Sequence, residues 1–400
     1  MHNRSDRRSL FFVLSVFSLV IISTYFVILF ARGYRLEFKK DGPSLQVTGI
    51  LSFTSKPKGG SVYLNDRLIT ATDDTLNLPP GSYTVKITKD GYTTWQKTYQ
   101  VKKEVVYQTD AELFRSAPEL RPLTLSGAIN PVLSPDGSKV IFAVASASAT
   151  KDNGLYLLET SDNLIPLAKT TTRQIAPNFT GTDWAKATFT FSPDSRQVVA
   201  TFKNQLNYLL NIDTTITEKN LTDITSQLPQ INKSWSQDEL QIIKSRLNRL
   251  PPEISTLVAT DSARDIAINQ NDDKVFYLAS KDGTIDSQTT PPPAQSSQTQ
   301  DRHVAKNNFY VYDIKDDTNF AIGSSETVRN LSWLPYTNNL IYVEDNSIKI
   351  VDYDNTNKNV IYAGKFSADL VFPWSDGSRI ITLTSAYTGA TNNLYSISLK

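Results

Sequence analysis

The sequence predicts an all-β protein with one transmembrane helix near its amino terminus, followed by a small β-sandwich and a β-propeller. Three observations predict this. A single uninterrupted apolar run lies near the amino end, short alternating strands separated by Gly, Pro, Asn and Asp follow it, and a strand–turn–strand pattern recurs over the last two thirds. With 400 residues, the chain is long enough for two or three hydrophobic cores.

The apolar run predicts a membrane-spanning helix at residues 9–31, preceded by a short tail at 1–8. No charged residue occurs from Ser9 to Ala31. Residues 10–31 would span roughly 33 Å as a helix, which is enough for a bilayer core of about 30 Å. A cleaved signal peptide is the alternative, but its apolar region is shorter, about 7–15 residues, and ends in a small-x-small site. The pattern therefore favours an uncleaved anchor.

The charges flanking this segment give little orientation signal. Basic residues lie on both sides, at Arg4, Arg7 and Arg8 before it and at Arg32, Arg35, Lys39 and Lys40 after it. A short tail in front of a large body favours a signal-anchor in the cell membrane with the bulk of the chain extracytoplasmic. Residues 32–45 are predicted to be a juxtamembrane linker.

Residues 46–114 are predicted to form the small β-sandwich. Tyr83, Val85 and Ile87 alternate with polar residues, as expected for a strand with one buried face. Residues 55–65 (SKPKGGSVYLN), 78–85 (LPPGSYTV) and 91–92 together resemble the PEGA domain family. Lys58 and Gly60 stand where the family's name-giving tetrapeptide has Glu and Ala. The resemblance implies an extracytoplasmic binding or spacer module without catalytic residues.

Residues 118–400 contain the internal repeat. A large apolar residue, a polar turn and a β-branched or apolar residue recur with anchors at positions 133, 191, 235, 268, 333 and 374. The best matches, 133–140 (LSPDGSKV) and 191–198 (FSPDSRQV), are similar to TolB-like propeller repeats. Six blades are expected, with seven as the alternative. In this register residues 239–250 form a strand, although they can also be read as a short helix. Closure of the propeller is expected between residues 120–125 and 394–399.

A Pro-, Gln- and Ser-rich stretch at 286–302 interrupts the repeats and is predicted to be a disordered surface loop. It has no apolar residue larger than Ala or Pro between Asp286 and Arg302, so it cannot bury a core. A tolerated insertion between strands is the favoured interpretation, and a recognition loop is the alternative.

The composition excludes several kinds of chemistry. There is no cysteine, and histidine occurs only at His2 and His303, neither of which lies where a preorganised site is expected. No Gly-x-Ser-x-Gly elbow, phosphate-binding loop or Gly-x-Gly-x-x-Gly motif is present. Residues 352–358 superficially suggest a calcium loop, but Lys358 favours a strand-connecting turn. No catalytic residue, metal ligand or cofactor is therefore predicted, and the ligand-binding residues stay unknown.

Tryptophan raises the question of ligand stacking. Trp235, Trp333 and Trp374 are read as occupying the repeat position of Leu133, Phe191 and Ile268, which indicates packing. Trp95 and Trp184 lie outside that register. For Trp184 packing is the favoured interpretation, and exposure for binding is the alternative.

The predicted function is that of a membrane-anchored extracytoplasmic binding or scaffold protein, with a protein, glycan or cell-wall partner. A formal net charge of +1 argues against nucleic acid. The TolB-like resemblance implies a scaffold for an envelope complex. The alternative is a propeller-based glycan hydrolase or lyase, because paired carboxylates depend on spatial separation and cannot be read from sequence spacing.

Overall fold

The structure is a computed structural model. It describes residues 5–31, 34–39, 42–160, 172–248, 250, 254, 263–286, 296, 298–367, 370–385 and 390–400. The chain divides into two compact units. The first comprises residues 1–89, 94–112 and 295–297, and the second comprises residues 90–93, 113–294 and 298–400.

The first unit begins with helix α1 (Ser5–Ala31), so the helix starts within the predicted tail. Its segment Phe11–Ala31 is long and apolar enough to cross a membrane, and none of it is buried in the protein. Strands β1 (Tyr34–Lys39) and β2 (Gly42–Val47) pair as an antiparallel hairpin. The predicted linker, residues 32–45, therefore contains most of a β-hairpin, because the backbones of residues 34–39 and 42–47 pair with each other.

The rest of the first unit is a small β-sandwich of two main sheets. One sheet has the order β10-β3-β7, and the other has the order β6-β5-β8-β9. Its strands are β3 (Gly49–Phe53), β4 (Ser55–Lys56), β5 (Ser61–Leu64), β6 (Arg67–Ala71), β7 (Asp74–Leu78), β8 (Gly81–Thr88), β9 (Trp95–Val101), β10 (Val106–Gln108) and β11 (Ala111–Glu112). Leu51 and Phe53 from one sheet, and Val62, Val85 and Ile87 from the other, are completely buried. The alternation predicted around Val85 thus marks the core face.

The second unit contains five four-stranded antiparallel sheets among the described residues. We call these sheets blades 1 to 5. Blade 1 contains β13 (Ile129–Leu133), β14 (Lys139–Val144), β15 (Gly154–Glu159) and β16 (Thr172–Pro177). Blade 2 contains β17 (Ala187–Phe191), β18 (Gln197–Phe202), β19 (Asn207–Asn211) and β20 (Thr222–Asp223). Blade 3 contains β21 (Ala263–Ile268), β22 (Lys274–Ala279), β25 (Asn308–Asp313) and β26 (Thr318–Ser324). Between β22 and β25 lies the small hairpin of β23 (Gly283–Thr284) and β24 (His303–Val304).

Blades 4 and 5 contain the remaining four-stranded sheets of the second unit among the described residues. Blade 4 contains β27 (Arg329–Trp333), β28 (Asn339–Glu344), β29 (Ser347–Asp352) and β30 (Asn359–Ala363); blade 5 contains β31 (Val371–Pro373), β32 (Arg379–Thr384), β33 (Asn393–Ser398) and, from the other end of the repeat region, β12 (Leu120–Pro122). Leu120 pairs with Ile397, so the closure predicted between residues 120–125 and 394–399 is confirmed.

The strand register confirms the repeat in four of the predicted positions. The residue before each turn pairs with the residue seven positions later: Leu133 with Val140, Phe191 with Val198, Ile268 with Val275, and Trp333 with Leu340. In blade 5 the corresponding pair is Pro373 with Ile380. The predicted anchor at Trp374 is therefore one residue too late.

The predicted anchor at Trp235 is wrong. Residues 228–247 form helix α2 (Leu228–Leu247), in the connection between blades 2 and 3, and residues 239–247 are not a strand. None of the helix residues is buried. Half of its residues are Leu, Gln, Lys, Arg or Glu, which have good helix propensity, and the local preference is not overridden by sheet packing. The predicted count of six blades, or seven, is not confirmed.

The blades pack through hydrophobic clusters between neighbours. One cluster joins blades 1 and 2, another blades 3 and 4, another blades 4 and 5, and another blades 5 and 1. Hydrogen bonds reinforce these junctions, for example from Asn130 Nδ2 to the Ala187 carbonyl (2.7 Å) and from Trp333 Nε1 to the Ala267 carbonyl (2.9 Å). Between blades 2 and 3, Leu250 and Ile254, which follow α2 in the chain, pack on the near face of blade 3.

The predicted disordered loop, residues 286–302, extends too far at its carboxyl end, because residues 301–302 make specific contacts. Residues 287–295 and 297 lie outside the described residues. By contrast, the backbone N–H of Asp301 donates to the Asn319 carbonyl (2.7 Å), and Arg302 forms an ion pair with Asp317 at 3.0 Å. These contacts fix residues 301–302 against blade 3, because a buried carboxylate needs a charged partner.

Candidate functional site

One face of blade 2 has an unusual composition for a propeller interface. Ala187, Phe189 and Phe191 point into the cluster shared with blade 1. Successive strand residues point to opposite faces, so Thr188 and Thr190 point away from blade 1, and both are exposed. Blade 2 therefore presents threonines where a propeller blade normally packs on its neighbour.

The same positions in the other blades are mostly apolar. Counted from the turn, Thr201 of blade 2 corresponds to Ala143, Leu278, Val343 and Leu383. Likewise Thr190 corresponds to Val132, Ala267, Ser332 and Phe372. The threonine face of blade 2, which we define as Thr188, Thr190 and Thr201, is thus suited to solvent or a polar ligand.

A cleft of about 1210 Å³ opens beside this face. It is lined by the start of blade 1, the connection from blade 1 to blade 2, the edge of the threonine face and the β18–β19 turn. The lining residues are Asn130, Asn178, Phe179, Gly181, Thr182, Asp183, Ala185, Lys186, Thr188, Thr201, Phe202, Lys203 and Asn204. We call it the blade 2 cleft. Concave sites with a few convergent polar groups are the usual ligand sites of proteins.

Trp184 supports the wall of the cleft from below. It is completely buried, and its Nε1 donates to the Pro177 carbonyl at 2.8 Å. Its ring meets Phe179 edge-on at 6.2 Å between centroids and Phe202 in a tilted arrangement at 5.9 Å. Because Phe179 and Phe202 both contact a fixed indole, the two rings are held in place at the cleft surface.

The wall segment folds locally around a tight turn. The backbones of Phe179 and Thr182 exchange two hydrogen bonds, at 3.1 and 3.0 Å, across Gly181, whose φ of +82° is disfavoured for other residues. Asp183 then starts a single turn of 3₁₀-helix (Trp184–Lys186), since its carboxylate accepts from the Ala185 backbone N–H at 3.2 Å. This turn directs Trp184 inward and leaves Lys186 outside.

The charges at the cleft are few. Asp183 and Lys186 form an ion pair at 3.2 Å on the surface. Lys203 is exposed and makes no ion pair within the described part of the chain. The remaining polar groups are uncharged, namely the amides of Asn130, Asn178 and Asn204 and three threonine hydroxyls. The cleft therefore offers neutral hydrogen-bonding groups and aromatic surface, with the ammonium of Lys203 at its edge.

Two smaller cavities lie around the first strand of blade 1. One, of about 520 Å³, lies between blades 5 and 1 and shares Asn130 with the cleft; the other, of about 370 Å³, is lined by the innermost strands of blades 1, 4 and 5. The second is mostly apolar, with Val132, Val371 and Phe372 among its lining residues. Asn130 thus lines both the cleft and the cavity of about 520 Å³, and its bond to blade 2 fixes that corner.

The most strongly charged buried group lies elsewhere, in blade 3. Lys274 Nζ is 3.1 Å from Asp313 and 3.3 Å from Asp273, and it lies 4.6 Å above the centre of the Tyr353 ring of blade 4. Burial raises the pKa of Asp313, and the charge of Lys274 opposes that shift. The side chains of Lys274 and Asp313 are only 6% and 3% exposed, so the group is closed to a ligand and braces blade 3 against blade 4.

The structure corrects the interpretation of the tryptophans. Trp184 is buried, as its favoured interpretation predicts, and its contribution to the cleft is to position Phe179 and Phe202. Trp95 is buried in the sandwich core. Trp333 does occupy the repeat position and packs between blades, whereas Trp374 lies one position later and Trp235 lies on α2.

The other residues singled out in the sequence lie away from the cleft. His303 is exposed on β24, with Nδ1 at 3.4 Å from the Thr284 hydroxyl, and His2 lies outside the described residues. Residues 352–358 connect β29 to β30, where Asp352 accepts from Asn339 Nδ2 at 2.6 Å. Among the described residues, no group of three or more His, Cys, Asp or Glu side chains could hold a metal ion.

Sequence comparison confirms the resemblance of the sandwich. Residues 48–117 match the family model of the PEGA domain. A search among curated proteins finds no match to the chain. The chain is therefore a mostly β protein with an amino-terminal apolar helix, a PEGA domain and a carboxyl-terminal propeller.

Solved structures of propeller proteins are similar at low identity. They include TolB from Acinetobacter baumannii (12% identity, 79% of this chain and 59% of that chain, TM-score 0.23). The propeller domain of the Trilobed protease from Pyrococcus furiosus has 10% identity over 88% of this chain and 98% of that chain (TM-score 0.22). An oligogalacturonate lyase in complex with manganese has 12% identity over 70% and 69% of the two chains (TM-score 0.24). At these scores no activity or partner is transferred to this chain.

Proposed function

We propose that this chain is a membrane-anchored extracytoplasmic binding protein whose propeller holds a ligand in the blade 2 cleft. The apolar helix Phe11–Ala31 serves as the anchor, and the PEGA domain supports an extracellular location for the body. The observation that carries the proposal is the blade 2 cleft, which Thr188 and Thr201 line with hydroxyl groups, whereas the residues equivalent to Thr201 in the other blades are apolar.

The cleft favours binding over catalysis. Asp183 is the only carboxylate among the residues that line it, and it is paired with Lys186. Glycoside hydrolysis by the common mechanisms needs two carboxyl groups on opposite sides of the bond. The glycan hydrolase or lyase role considered from the sequence therefore has no specific support at this site, and a binding or scaffold role is proposed.

The topology is tested by protease treatment of intact cells that express the full chain with a tag at its carboxyl end. We expect the tag to be removed from outside, while the protein stays in the membrane fraction until detergent is added. A tag that is protected in intact cells and digested only after lysis would contradict the extracytoplasmic assignment.

The binding role is tested with the full chain immobilised in detergent and exposed to an extract of the cell envelope. Thr188→Arg places a long charged side chain in the cleft at an exposed position. Thr222→Arg is the matched control, since Thr222 is an exposed strand residue of the same blade that does not line the cleft. We expect the wild type and Thr222→Arg to retain an envelope component that Thr188→Arg loses. Equal retention by all three would overturn the cleft as the binding site.

A further inference from the structure

The chemistry of the blade 2 cleft narrows the class of its ligand. Two phenylalanine rings, Phe179 and Phe202, line the cleft beside amide and hydroxyl groups. A ligand that fits this lining needs apolar faces for the rings and many uncharged hydrogen-bonding groups for the Asn and Thr side chains. A sugar ring has both, because its C–H groups lie on its faces and its hydroxyls lie around its edge.

The rings are positioned to act as a rigid surface. Phe202 contacts Trp184 on one side and Tyr208 on another, at 5.9 and 6.0 Å between centroids, and Phe179 contacts the same Trp184. Both rings are only half-buried. A ring that is fixed before the ligand arrives loses little conformational entropy on binding. This favours stacking of a flat apolar face, which is what a sugar ring presents.

The size and polarity also fit a short chain of sugars. The cleft volume of about 1210 Å³ exceeds the usual range of small-molecule sites, about 300–1000 Å³, and leaves room for several sugar units. Its polar groups are side chains on the connecting segments and on the threonine face. An extended peptide, by contrast, is usually held by main-chain hydrogen bonds along a sheet edge.

We propose that the blade 2 cleft binds an oligosaccharide, whose sugar faces stack on Phe179 and Phe202 and whose hydroxyls bond to the amides and threonines around them. This inference rests on the proposed binding function and gives its ligand class. Lys203, which has no ion-pair partner among the described residues, lies where it would meet an acidic sugar unit, so a charged probe belongs in the test.

The test measures binding of two tetrasaccharides to the full chain: uncharged chitotetraose and an anionic hyaluronan tetrasaccharide. The detergent must lack a sugar head group, since such a head group would compete for the cleft. Phe202→Leu keeps apolar volume but removes the aromatic face. Phe366→Leu is the matched control, because Phe366 is also half-buried against another ring, Tyr362, and does not line the cleft.

We expect at least one tetrasaccharide to bind, with affinity lowered roughly three- to tenfold by Phe202→Leu, the range expected for loss of aromatic stacking. Thr188→Arg abolishes binding, and Phe366→Leu leaves it unchanged. Absence of binding by both probes, or binding that Phe202→Leu and Thr188→Arg leave intact, overturns the proposal.

The material that the immobilised chain retains from the envelope extract distinguishes the oligosaccharide proposal from the more general proposal that the cleft binds a ligand. If the retained material is destroyed by periodate, which cleaves the vicinal diols of sugars, and resists protease, the oligosaccharide assignment is supported. If it is destroyed by protease and resists periodate, the oligosaccharide is overturned while the binding function stands. If nothing is retained and neither tetrasaccharide binds, both proposals fail together.

Discussion

Blades 2 and 3 contain the same strand–turn–strand repeat but differ on one sheet face. In blade 2 this face points away from blade 1, and in blade 3 it points toward blade 4. In blade 3 the positions hold Ala267, Phe276 and Leu278, which pack against blade 4. In blade 2 they hold Thr190, which is exposed, Val199, which is buried, and Thr201, which lines the blade 2 cleft. The position of a residue in the repeat thus determines the sheet face to which its side chain points. Whether that side chain is polar or apolar depends on whether another sheet covers the face.

The largest expected effect comes from removing a packed side chain between blades 3 and 4. Phe276 is 4% exposed, and its ring lies 5.8 Å from that of Trp333 in blade 4. We expect Phe276→Ala to lower the free energy of unfolding by about 3–5 kcal/mol, because it leaves a cavity between blades 3 and 4. Hydrogen exchange of the backbone amides in β22 and β28 measures this change locally.

The matched change on the open side is Thr190→Ala. Since Thr190 is exposed, we expect a change within about 0.5 kcal/mol. If Thr190→Ala accelerated exchange as much as Phe276→Ala does, the side of blade 2 would be as tightly packed as that of blade 3, and the contrast between the blades would disappear.

An isosteric exchange sharpens the comparison at one position of the repeat. Val343 of blade 4 and Thr201 of blade 2 are equivalent, and Val343 is completely buried. Val343→Thr buries a hydroxyl at nearly constant volume, and we expect it to cost about 1–3 kcal/mol. Thr201→Val should change the free energy of unfolding by less than about 0.5 kcal/mol, because Thr201 is not fully buried.

Denaturant unfolding of the full chain in detergent, followed by hydrogen exchange within each blade, checks both variants. A large loss of stability for Thr201→Val, or none for Val343→Thr, would show that burial does not explain the choice of residue at this position.

The smallest expected effect concerns the turns. In blade 2, the Ser192 hydroxyl donates to Asp194 at 2.6 Å and the Arg196 backbone N–H donates at 3.2 Å, and these bonds lower the pKa of Asp194. The turn of blade 4 has Tyr336 at the corresponding position. Because the folded-state pKa lies below that of the unfolded chain, Asp194 stabilises the fold above the unfolded value, and this contribution is lost as pH falls through the folded value.

We therefore expect Asp194→Asn to reduce the loss of stability that occurs between about pH 5 and pH 2. Hydrogen exchange of the backbone amides in β17 and β18 at several pH values measures this loss of stability. Exchange in β27 and β28 of blade 4 is the internal reference. The same acid dependence in the wild type and in Asp194→Asn would mean that the turn carboxylate does not contribute.

The sequence predicted the parts of the fold that depend on local patterns. The apolar run predicted α1, the alternation around Val85 predicted the sandwich core, and the seven-residue spacing predicted the first two strands of blades 1 to 4. It failed at residues 228–247, where the spacing of Trp235 resembled a repeat but the helix propensity of the segment prevailed.

The candidate site was not predicted from sequence, for a physical reason. Phe179 and Phe202 lie 23 positions apart and have no motif between them, and they come together only because Trp184 is buried beneath both. The threonines of β17 and β18 were a readable signal, since Thr188, Thr190 and Thr201 break the apolar pattern of the repeat. Sequence alone specified which way each strand residue points, because alternation is a property of the backbone. Only the tertiary structure decided which faces are covered, since that depends on how distant segments pack.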